Sequence, residues 1–373
     1  MKLKTLLALL LLIPGQSVFS QSEKLSWKLA GRLHFDGVGY VSAPDTLDAN
    51  LDIVDARLGG KVTMGNWYLT IDVSFAGVKV TAKDIFLQYS QDGNYYRLGH
   101  QFGSFGFEQT NSSNDLLFNA AANVTNLFTP GRRLGFTYTR TKPRYYVSAG
   151  AFLGDEITVK NAIKQGHNLT LRGAWKPINE EHQFIHIGAS GYYRVPNTDK
   201  TTDTKRLVVS AKGVTRTKSP SLQYIKFEDV ENQIQFGGDC YMFKDKWMLQ
   251  AEYMWMRVNQ KHAKDYQGHG GYVQAGYLIK GNTYGYDQVD ALPTMPTDNG
   301  SLLVIVRYNN SRMNDNSSGL FAGNQQDFSL GLDYFYNKHL STRLSYSYIK
   351  TDEKSTLGEQ DIHTILARVQ FKF

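Results

Sequence analysis

The sequence contains little cysteine, little proline and, beyond its N-terminus, no long apolar run. Its single cysteine, Cys240, excludes an intramolecular disulfide framework and any iron–sulfur or cysteine-based zinc site. The best later apolar run, residues 302–306, is far shorter than the roughly 20 residues of a transmembrane helix. The 373 residues include 23 Tyr, 20 Phe and 34 Gly but only 9 Pro, which is typical of a β-rich chain with tight turns and argues against disorder.

The N-terminus has the pattern of a secretory signal peptide. Lys2 and Lys4 precede a short apolar run from Leu6 to Ile13, and small or permissive residues follow. This pattern predicts a signal peptide over residues 1–20, cleaved before Gln21, and one domain over residues 21–373. An N-terminal membrane anchor is the alternative, although the run is too short to span a bilayer. Cleavage removes two lysines and leaves 39 basic against 34 acidic residues, a net charge of +5.

Most of the remaining chain alternates apolar and polar residues with a period of two. Every odd-numbered residue from Trp67 to Phe75 is apolar, and the even-numbered residues are polar or amphipathic. The same alternation runs from Leu134 to Tyr138 and from Phe328 to Tyr336. Such a period predicts strands with one apolar and one wet face. Because soluble sandwiches also alternate, the period alone does not decide the environment.

Strand length, loop pattern and aromatic placement favour a membrane barrel. The alternating segments run to about ten residues, enough to cross a bilayer at a tilt. Tight turns, such as residues 92–94, alternate with long loops at 102–130, 195–230 and 313–324, as in bacterial outer-membrane barrels. Aromatic residues cap the segments, and the chain ends on Phe373. We therefore predict an all-β fold, a transmembrane antiparallel β-barrel of about 16 strands, which encloses a water-filled lumen.

The faces opposite the apolar residues are rich in basic side chains. The alternation places the following residues in the lumen: Arg32, Arg57, Lys61, Arg97, Arg133, Arg172 and Arg307. Inward acids, such as Asp36, Asp55 and Asp84, are fewer. The excess predicts an anion-attracting lumen, since rings of basic side chains select anions in pores. The alternative is that the inward arginines only balance inward acids on neighbouring strands.

The stretch from Val54 to Asp155 resembles the phosphate-selective porins O and P. The resemblance rests on the order and spacing of four pieces, at residues 83–89, 99–102, 105–115 and 130–135. The last piece reads Pro130-Gly131-Arg132-Arg133-Leu134-Gly135. A looser match, from residues 307–309 through 331–335, extends the resemblance over most of residues 25–373.

The resemblance implies a sixteen-stranded homotrimer whose third extracellular loop, here Gly103 to Pro130, folds inward to narrow the pore. The expected constriction residues are Phe105, Phe107, Glu108, Ser112, Ser113 and Asp115. The Pro-Gly-Arg-Arg motif adds Arg132 to the anion-binding set and supports Arg133. This loop contains no Lys or Arg, so Glu108 and Asp115 are expected to pair with inward arginines. A structural clamp on those acids is the alternative role for Arg132 and Arg133.

Together these features predict a passive outer-membrane porin with a preference for phosphate or other small anions. The alternative is a barrel receptor or barrel enzyme whose loops bind a ligand and whose lumen conducts little. No catalytic residue, cofactor or metal is predicted, and His182 and His186 are interpreted as wall histidines. The expected partners are small anions, outer-membrane lipid and lipopolysaccharide, the last facing the basic segment from Lys200 to Lys218. Secretion argues against a nucleic-acid partner.

Overall fold

The computed structural model describes residues 24–77, 79–154, 162–282, 284–296 and 298–373. The predicted signal peptide and its cleavage site lie outside these residues. In the described part, sixteen strands form a closed antiparallel barrel, which confirms the predicted fold class. The first strand, β1 (Ser26–Ser42), pairs with the last, β22 (Gln360–Lys372), to close the wall, with Arg32 opposite Lys372.

The sixteen wall strands follow one another around the barrel in chain order. They are β1 (Ser26–Ser42), β2 (Asn50–Met64), β3 (Trp67–Ser74), β4 (Thr81–Gln91), β5 (Asn94–Gln101), β6 (Arg133–Lys142), β7 (Tyr145–Leu153), β9 (His167–Asn179), β10 (Gln183–Val195), β14 (Val230–Lys244), β15 (Trp247–Gln260), β16 (Tyr266–Lys280), β19 (Ser301–Asp315), β20 (Leu320–Phe335), β21 (Leu340–Thr351) and β22 (Gln360–Lys372). Short pairs outside the wall are β8 (Ala162–Lys164) with β11 (Thr198–Asp199), β12 (Leu207–Ala211) with β13 (Gln223–Phe227), and β17 (Gly285–Asp287) with β18 (Leu292–Thr294). The one short α-helix of the described residues is α1 (Asn123–Phe128).

The two ends of the barrel differ in their connections. We call the end with the long connections 102–132 and 196–229 the loop end, and the opposite end, where β1 begins and β22 finishes, the turn end. Outer-membrane barrels place such long loops outside the cell and short turns in the periplasm. The predicted long loop at 313–324 is wrong, because β19 and β20 continue through it and leave only residues 316–319. The turn end instead carries one long connection, residues 281–300, which the sequence did not predict.

The outer wall is apolar, as the alternation predicted. Leu69 and Ile71 are 36% and 45% exposed on the outside of β3, whereas Thr70 between them is buried on the inner face. At the turn end, four aromatic rings contact one another in sequence across β3 to β6, from Trp67 through Tyr89 and Tyr96 to Tyr138. Such girdles mark the membrane–water interface of barrels. Among the described residues, no helix is long and apolar enough to cross a membrane.

The packed core of the molecule lies inside the barrel. Three segments fold into the lumen: the constriction loop (residues 102–132), the loop-end hairpin (β12 and β13) and the turn-side segment (residues 284–296). Phe105 and Val124 of the constriction loop pack with Phe227 of the hairpin against Met254 and Met256 of β15. The lumen is therefore filled beside β14 to β19, and its open space lies along β1 to β5.

Candidate functional site

The constriction loop lies inside the barrel, as the resemblance implied. Phe105 and Phe107 are fully buried. The Phe107 ring packs against His186 at 5.1 Å between centroids, beneath the Arg172 guanidinium. Gly106, which lies between Phe105 and Phe107 in the sequence, has a φ of 80°. A Cβ at that position would meet Met254 Cε and Thr129 Oγ1 at 3.0 Å, so the close approach to the wall requires glycine.

Glu108 fixes the loop electrostatically to β19. Its carboxylate pairs with the guanidinium of Arg307 and also accepts a hydrogen bond of 2.6 Å from the backbone N–H of Ala122. Burial raises the pKa of Glu108, and the neighbouring Arg307 opposes that shift. On β15, Glu252 accepts hydrogen bonds from the backbone N–H groups of Phe107 (2.6 Å) and Glu108 (3.3 Å).

Three wall arginines each join an acid to a backbone carbonyl of the constriction loop. Arg307 pairs with Glu108 and donates to the carbonyl of Ala120 at 3.2 Å. Arg343 pairs with Asp333 and donates to Leu116 at 2.7 Å. Arg368 pairs with Asp36 and donates to Asn119 at 2.6 Å. These buried guanidinium groups are anchors for the loop, and the assignment of Arg307 as an anion-binding residue stays a prediction.

The serines of the loop lie against β1 and β2. Arg32 donates to Ser112 Oγ at 2.9 Å, and Ser113 Oγ donates to Asp55 at 2.6 Å. Asp115, which was expected to pair with an inward arginine, accepts instead from the backbone N–H of Met295 at 3.3 Å. Burial raises the pKa of the Asp115 carboxyl. The loop thus crosses the lumen from β7 to β2 and meets the turn-side segment on its way.

The turn-side segment reaches the constriction loop from the opposite end of the barrel. The Tyr286 hydroxyl lies 2.6 Å from His186 Nδ1, and Asn111 of the constriction loop donates to the carbonyl of Pro293 at 2.9 Å. Asp290 forms an ion pair of 2.8 Å with Arg97 on β5. Burial, followed by the charge of Asp290, raises the pKa of Asp287. The segment therefore brings two carboxyl groups into the lumen.

Two adjoining cavities, of about 480 and 350 Å³, follow the inner face of β1 to β5 and share Arg32, Lys61, Thr70, Asp72 and Asp84. One reaches the turn end at Lys338, and the other reaches Phe102 and Arg132 near the loop end. We call this space the β1–β5 channel. Its basic lining residues are Lys28, Arg32, Arg57, Lys61, Arg97, Arg132, Arg172, Lys338 and Lys372, nine in all. Its acidic lining residues are Asp72, Asp84, Asp115, Asp287 and Asp290, five in all. Basic side chains therefore dominate the lining.

The strand register places like charges side by side along this channel. Arg32 on β1 lies opposite Arg57 on β2 and opposite Lys372 on β22, so three basic residues form one row across three strands. Lys28 and Lys61 form a second row. Like charges directly opposite one another destabilise a sheet. Such rows are not explained by the stability of the wall.

Each of the five arginines in the channel lining nevertheless has an acid partner. Arg57 contacts Asp55 at 2.7 Å and Asp72 at 3.2 Å, and Arg32 lies 3.4 Å from Asp55. Arg132 donates two hydrogen bonds, of 2.9 and 2.8 Å, to Asp84 and stacks over Phe102. Arg172, which is almost fully buried, pairs with Asp239 at 3.1 Å. The interpretation that inward arginines balance inward acids thus describes these pairs, while the lysines supply the excess charge.

Arg133 lies apart from the β1–β5 channel. It faces inward but borders a separate loop-end cavity of about 300 Å³ together with Arg194, and its guanidinium donates to the Gly131 carbonyl at 3.2 Å. Arg133 was predicted to face the lumen with Arg57 and Arg97, but it borders a different space from theirs. His186 is a wall histidine hydrogen-bonded to Asp239 at 2.7 Å, and no group of three metal-ligating side chains occurs in the described part of the chain.

Sequence reasoning missed the turn-side segment and its acids. The visible signal was a gap of twenty residues, 281–300, between two strongly alternating segments, with Pro293 and Pro296 inside it.

Comparison with known proteins agrees with the barrel. The sequence matches the family described as phosphate-selective porin O and P over residues 28–373. An uncharacterised protein of Caulobacter vibrioides is 24% identical over 387 residues, covering 96% of this chain and 76% of that protein. The structure of an anion-selective porin from Comamonas acidovorans has a TM-score of 0.62 at 11% identity, covering 94% of this chain and 100% of that one. OmpT, an outer membrane protein of Vibrio cholerae in its trimer form, has a TM-score of 0.61 at 11% identity, with 94% and 100% covered. At such identities the structural likeness shows the barrel fold alone.

Proposed function

This chain belongs to the phosphate-selective porin O and P family, and on that premise we propose that it passes small anions, phosphate among them, along the β1–β5 channel. We propose that this porin acts as a channel rather than as an enzyme, which the family match supports. The observation that carries the anion preference is the basic lining, nine basic against five acidic side chains with like charges in adjacent rows.

The preference has a simple electrostatic origin. A narrow lumen inside a low-dielectric wall concentrates the field of its charges, so an excess of basic groups raises the local anion concentration. One charge a few ångströms from the ion path contributes about 1–4 kcal/mol at effective dielectric constants between those of water and a protein surface. Paired arginines keep their acids beside them, but their remaining N–H groups still suit the oxygens of phosphate.

The adjacent arginines of the Pro-Gly-Arg-Arg motif provide the test. Reversal potential across a planar bilayer in a potassium chloride gradient measures anion preference, and the same cell in chloride against phosphate ranks the two anions. Arg132→Gln removes a charge from the β1–β5 channel and should lower anion preference several-fold. Arg133→Gln removes the same charge from the separate loop-end cavity and should change it much less.

Two outcomes would contradict this assignment. Equal effects of the two substitutions would mean that ions do not distinguish the β1–β5 channel from the loop-end cavity. A folded barrel without steady current would favour the alternative of a receptor or barrel enzyme whose loops bind a ligand.

We further propose that the protein is a homotrimer. Strands β3 and β5 have eight residues each. Eight residues extend about 26 Å at most, less than the hydrocarbon thickness of about 30 Å. A neighbouring subunit against this low stretch of wall would shield it, in keeping with the trimer form of the Vibrio cholerae protein. Cross-linking, or a slowly migrating band in unheated electrophoresis samples, tests this state.

Lipopolysaccharide contact is proposed for the exposed loop-end lysines. Of the basic segment, Arg206 is engaged by Glu228 at 2.7 Å and Arg216 turns inward to within 3.7 Å of Asp55. Lys200 and Lys218 remain exposed and could meet phosphate groups of the outer leaflet. Binding of the purified barrel to lipopolysaccharide vesicles, compared between wild type and a Lys200→Gln, Lys218→Gln variant, measures this contact.

A further inference from the structure

The guanidinium of Arg97 on β5 is already paired with a carboxylate of the protein itself, that of Asp290. Asp290 Oδ1 lies 2.8 Å from Arg97 Nη2 inside the β1–β5 channel. The Arg97 side chain is 19% exposed and the Asp290 side chain is 41% exposed, so the pair stands at the edge of the open space. Arg97 lies on a wall strand, whereas Asp290 lies on the turn-side segment.

The arginine is the fixed member of this pair. Its Nε donates to Gln88 on the neighbouring strand β4, and its guanidinium lies 5.1 Å from the centre of the Phe86 ring. The carboxylate comes from the four-residue tip, residues 288–291, between β17 and β18. A guanidinium binds carboxylate and phosphate oxygens with the same donor fork. Asp290 therefore occupies a position on Arg97 that a passing anion could take.

We infer that Asp290 is a specificity-determining residue that competes with permeating anions for Arg97. This inference rests on the proposed passage of anions through the β1–β5 channel. A permeating phosphate binds Arg97 when the Asp290 carboxylate swings away, and leaves when the carboxylate returns. Asp290 thereby weakens retention of the anion at Arg97, which favours release over trapping.

The size of the effect follows from the exposure of the pair. Because the ion pair is this open to water, Asp290 weakens phosphate binding at Arg97 by no more than about fivefold. Neutralising Asp290 should therefore strengthen phosphate binding at Arg97 by a factor of about two to five. A change much larger than this would point to rearrangement of the whole turn-side segment.

The test is phosphate inhibition of the chloride current through the purified barrel in a planar bilayer. Asp290→Asn should lower the phosphate concentration for half inhibition two- to fivefold. The matched control is Asp245→Asn, the same change in the two-residue turn between β14 and β15, where a φ of 50° suits asparagine. The control should keep the wild-type value.

A double variant separates competition for Arg97 from a general loss of negative charge. In an Arg97→Gln background, Asp290→Asn should no longer strengthen inhibition, because the shared partner is gone. Unchanged inhibition in folded Asp290→Asn, or the same strengthening with and without Arg97, would overturn the inference. If Asp290→Asn does not fold, Asp290→Ser is measured in its place under the same criteria.

The proposed function and this inference fail in different ways. Wild-type reversal potential reports anion preference by itself, without any variant. A barrel that prefers cations, yet whose phosphate inhibition strengthens in Asp290→Asn only when Arg97 is present, would reject the proposed preference and keep the competition.

Discussion

The ion pair between Glu108 and Arg307 should hold the constriction loop across the lumen, and its removal should open the pore. Arg307→Met keeps much of the side-chain volume but removes every donor. Glu108 would then be a buried carboxylate without its guanidinium, and Ala120 and Gln274 would lose their donor. Breaking a buried pair by removing one partner costs about 3–5 kcal/mol.

That cost acts on the equilibrium between the docked and displaced loop. At about 1.4 kcal/mol per tenfold, the displaced population should rise by a factor of roughly 10² to 4 × 10³. Single-channel recordings of Arg307→Met at neutral pH should therefore show larger conductance or frequent openings to a larger level. Arg312→Met is the matched control, because Arg312 lies on the same strand and is exposed.

Removing both charges of the Glu108–Arg307 pair gives a second test of this prediction. Glu108→Gln in the Arg307→Met background leaves neither position of this pair charged, so the double variant should return toward wild-type conductance. Because burial raises the pKa of Glu108, acidification should also neutralise it early and reduce the Arg307→Met effect. A folded Arg307→Met barrel with wild-type conductance at all pH values would refute the role assigned to this pair.

Three further outcomes are expected. Deletion of residues 111–126 should raise single-channel conductance, and an unchanged value in a folded deletion would place the loop outside the pore. The raised pKa of Asp287 means that this carboxyl protonates before ordinary aspartates as the pH falls, so anion preference measured by reversal potential should increase on acidification. Asp287→Asn should show less of that increase. An equal increase in the variant would contradict the assignment. Gly106→Val should loosen the loop, because a β-branched residue is strained at positive φ by roughly 1–2 kcal/mol and its Cβ would contact Met254; protease protection of the loop measures the effect.

The alternation of apolar and polar residues was enough to predict most of the fold and many of the residues that line the channel. Side chains alternate strictly across a strand, so the apolar set of β1 to β5 also determines the inward set. Arg32, Arg57, Lys61 and Arg97 all border the channel for that reason. Strand β2 departs from strict alternation at one position. A register shift beside His34 leaves Val54 without a partner, so Ile53 faces outward while Asp55 faces inward.

Partners of the charges could not be predicted, because they depend on chain segments far apart in sequence. Arg307 and Glu108 are separated by 199 residues, and their meeting requires the path of the whole constriction loop. Arg132 and Arg133 are adjacent in sequence yet border different cavities. The turn-side segment has no period of either kind, so nothing local in its sequence indicated that it folds inward.

The distribution of these partners suggests where anion selection takes place. Arginines near the constriction carry acids beside them, so their net field along the path is small. At the turn end, Lys28, Lys61, Lys338 and Lys372 border the same cavity, and in the described part of the chain none of them has an acid within ion-pair distance. The register sets Lys28 directly opposite Lys61, an arrangement that a sheet selected for stability alone avoids. Since unpaired charge dominates the potential felt by a mobile ion, we expect the turn end to supply the attraction for anions. We expect the constriction to set the size of what passes, because the arginine anchors of its loop already have acid partners.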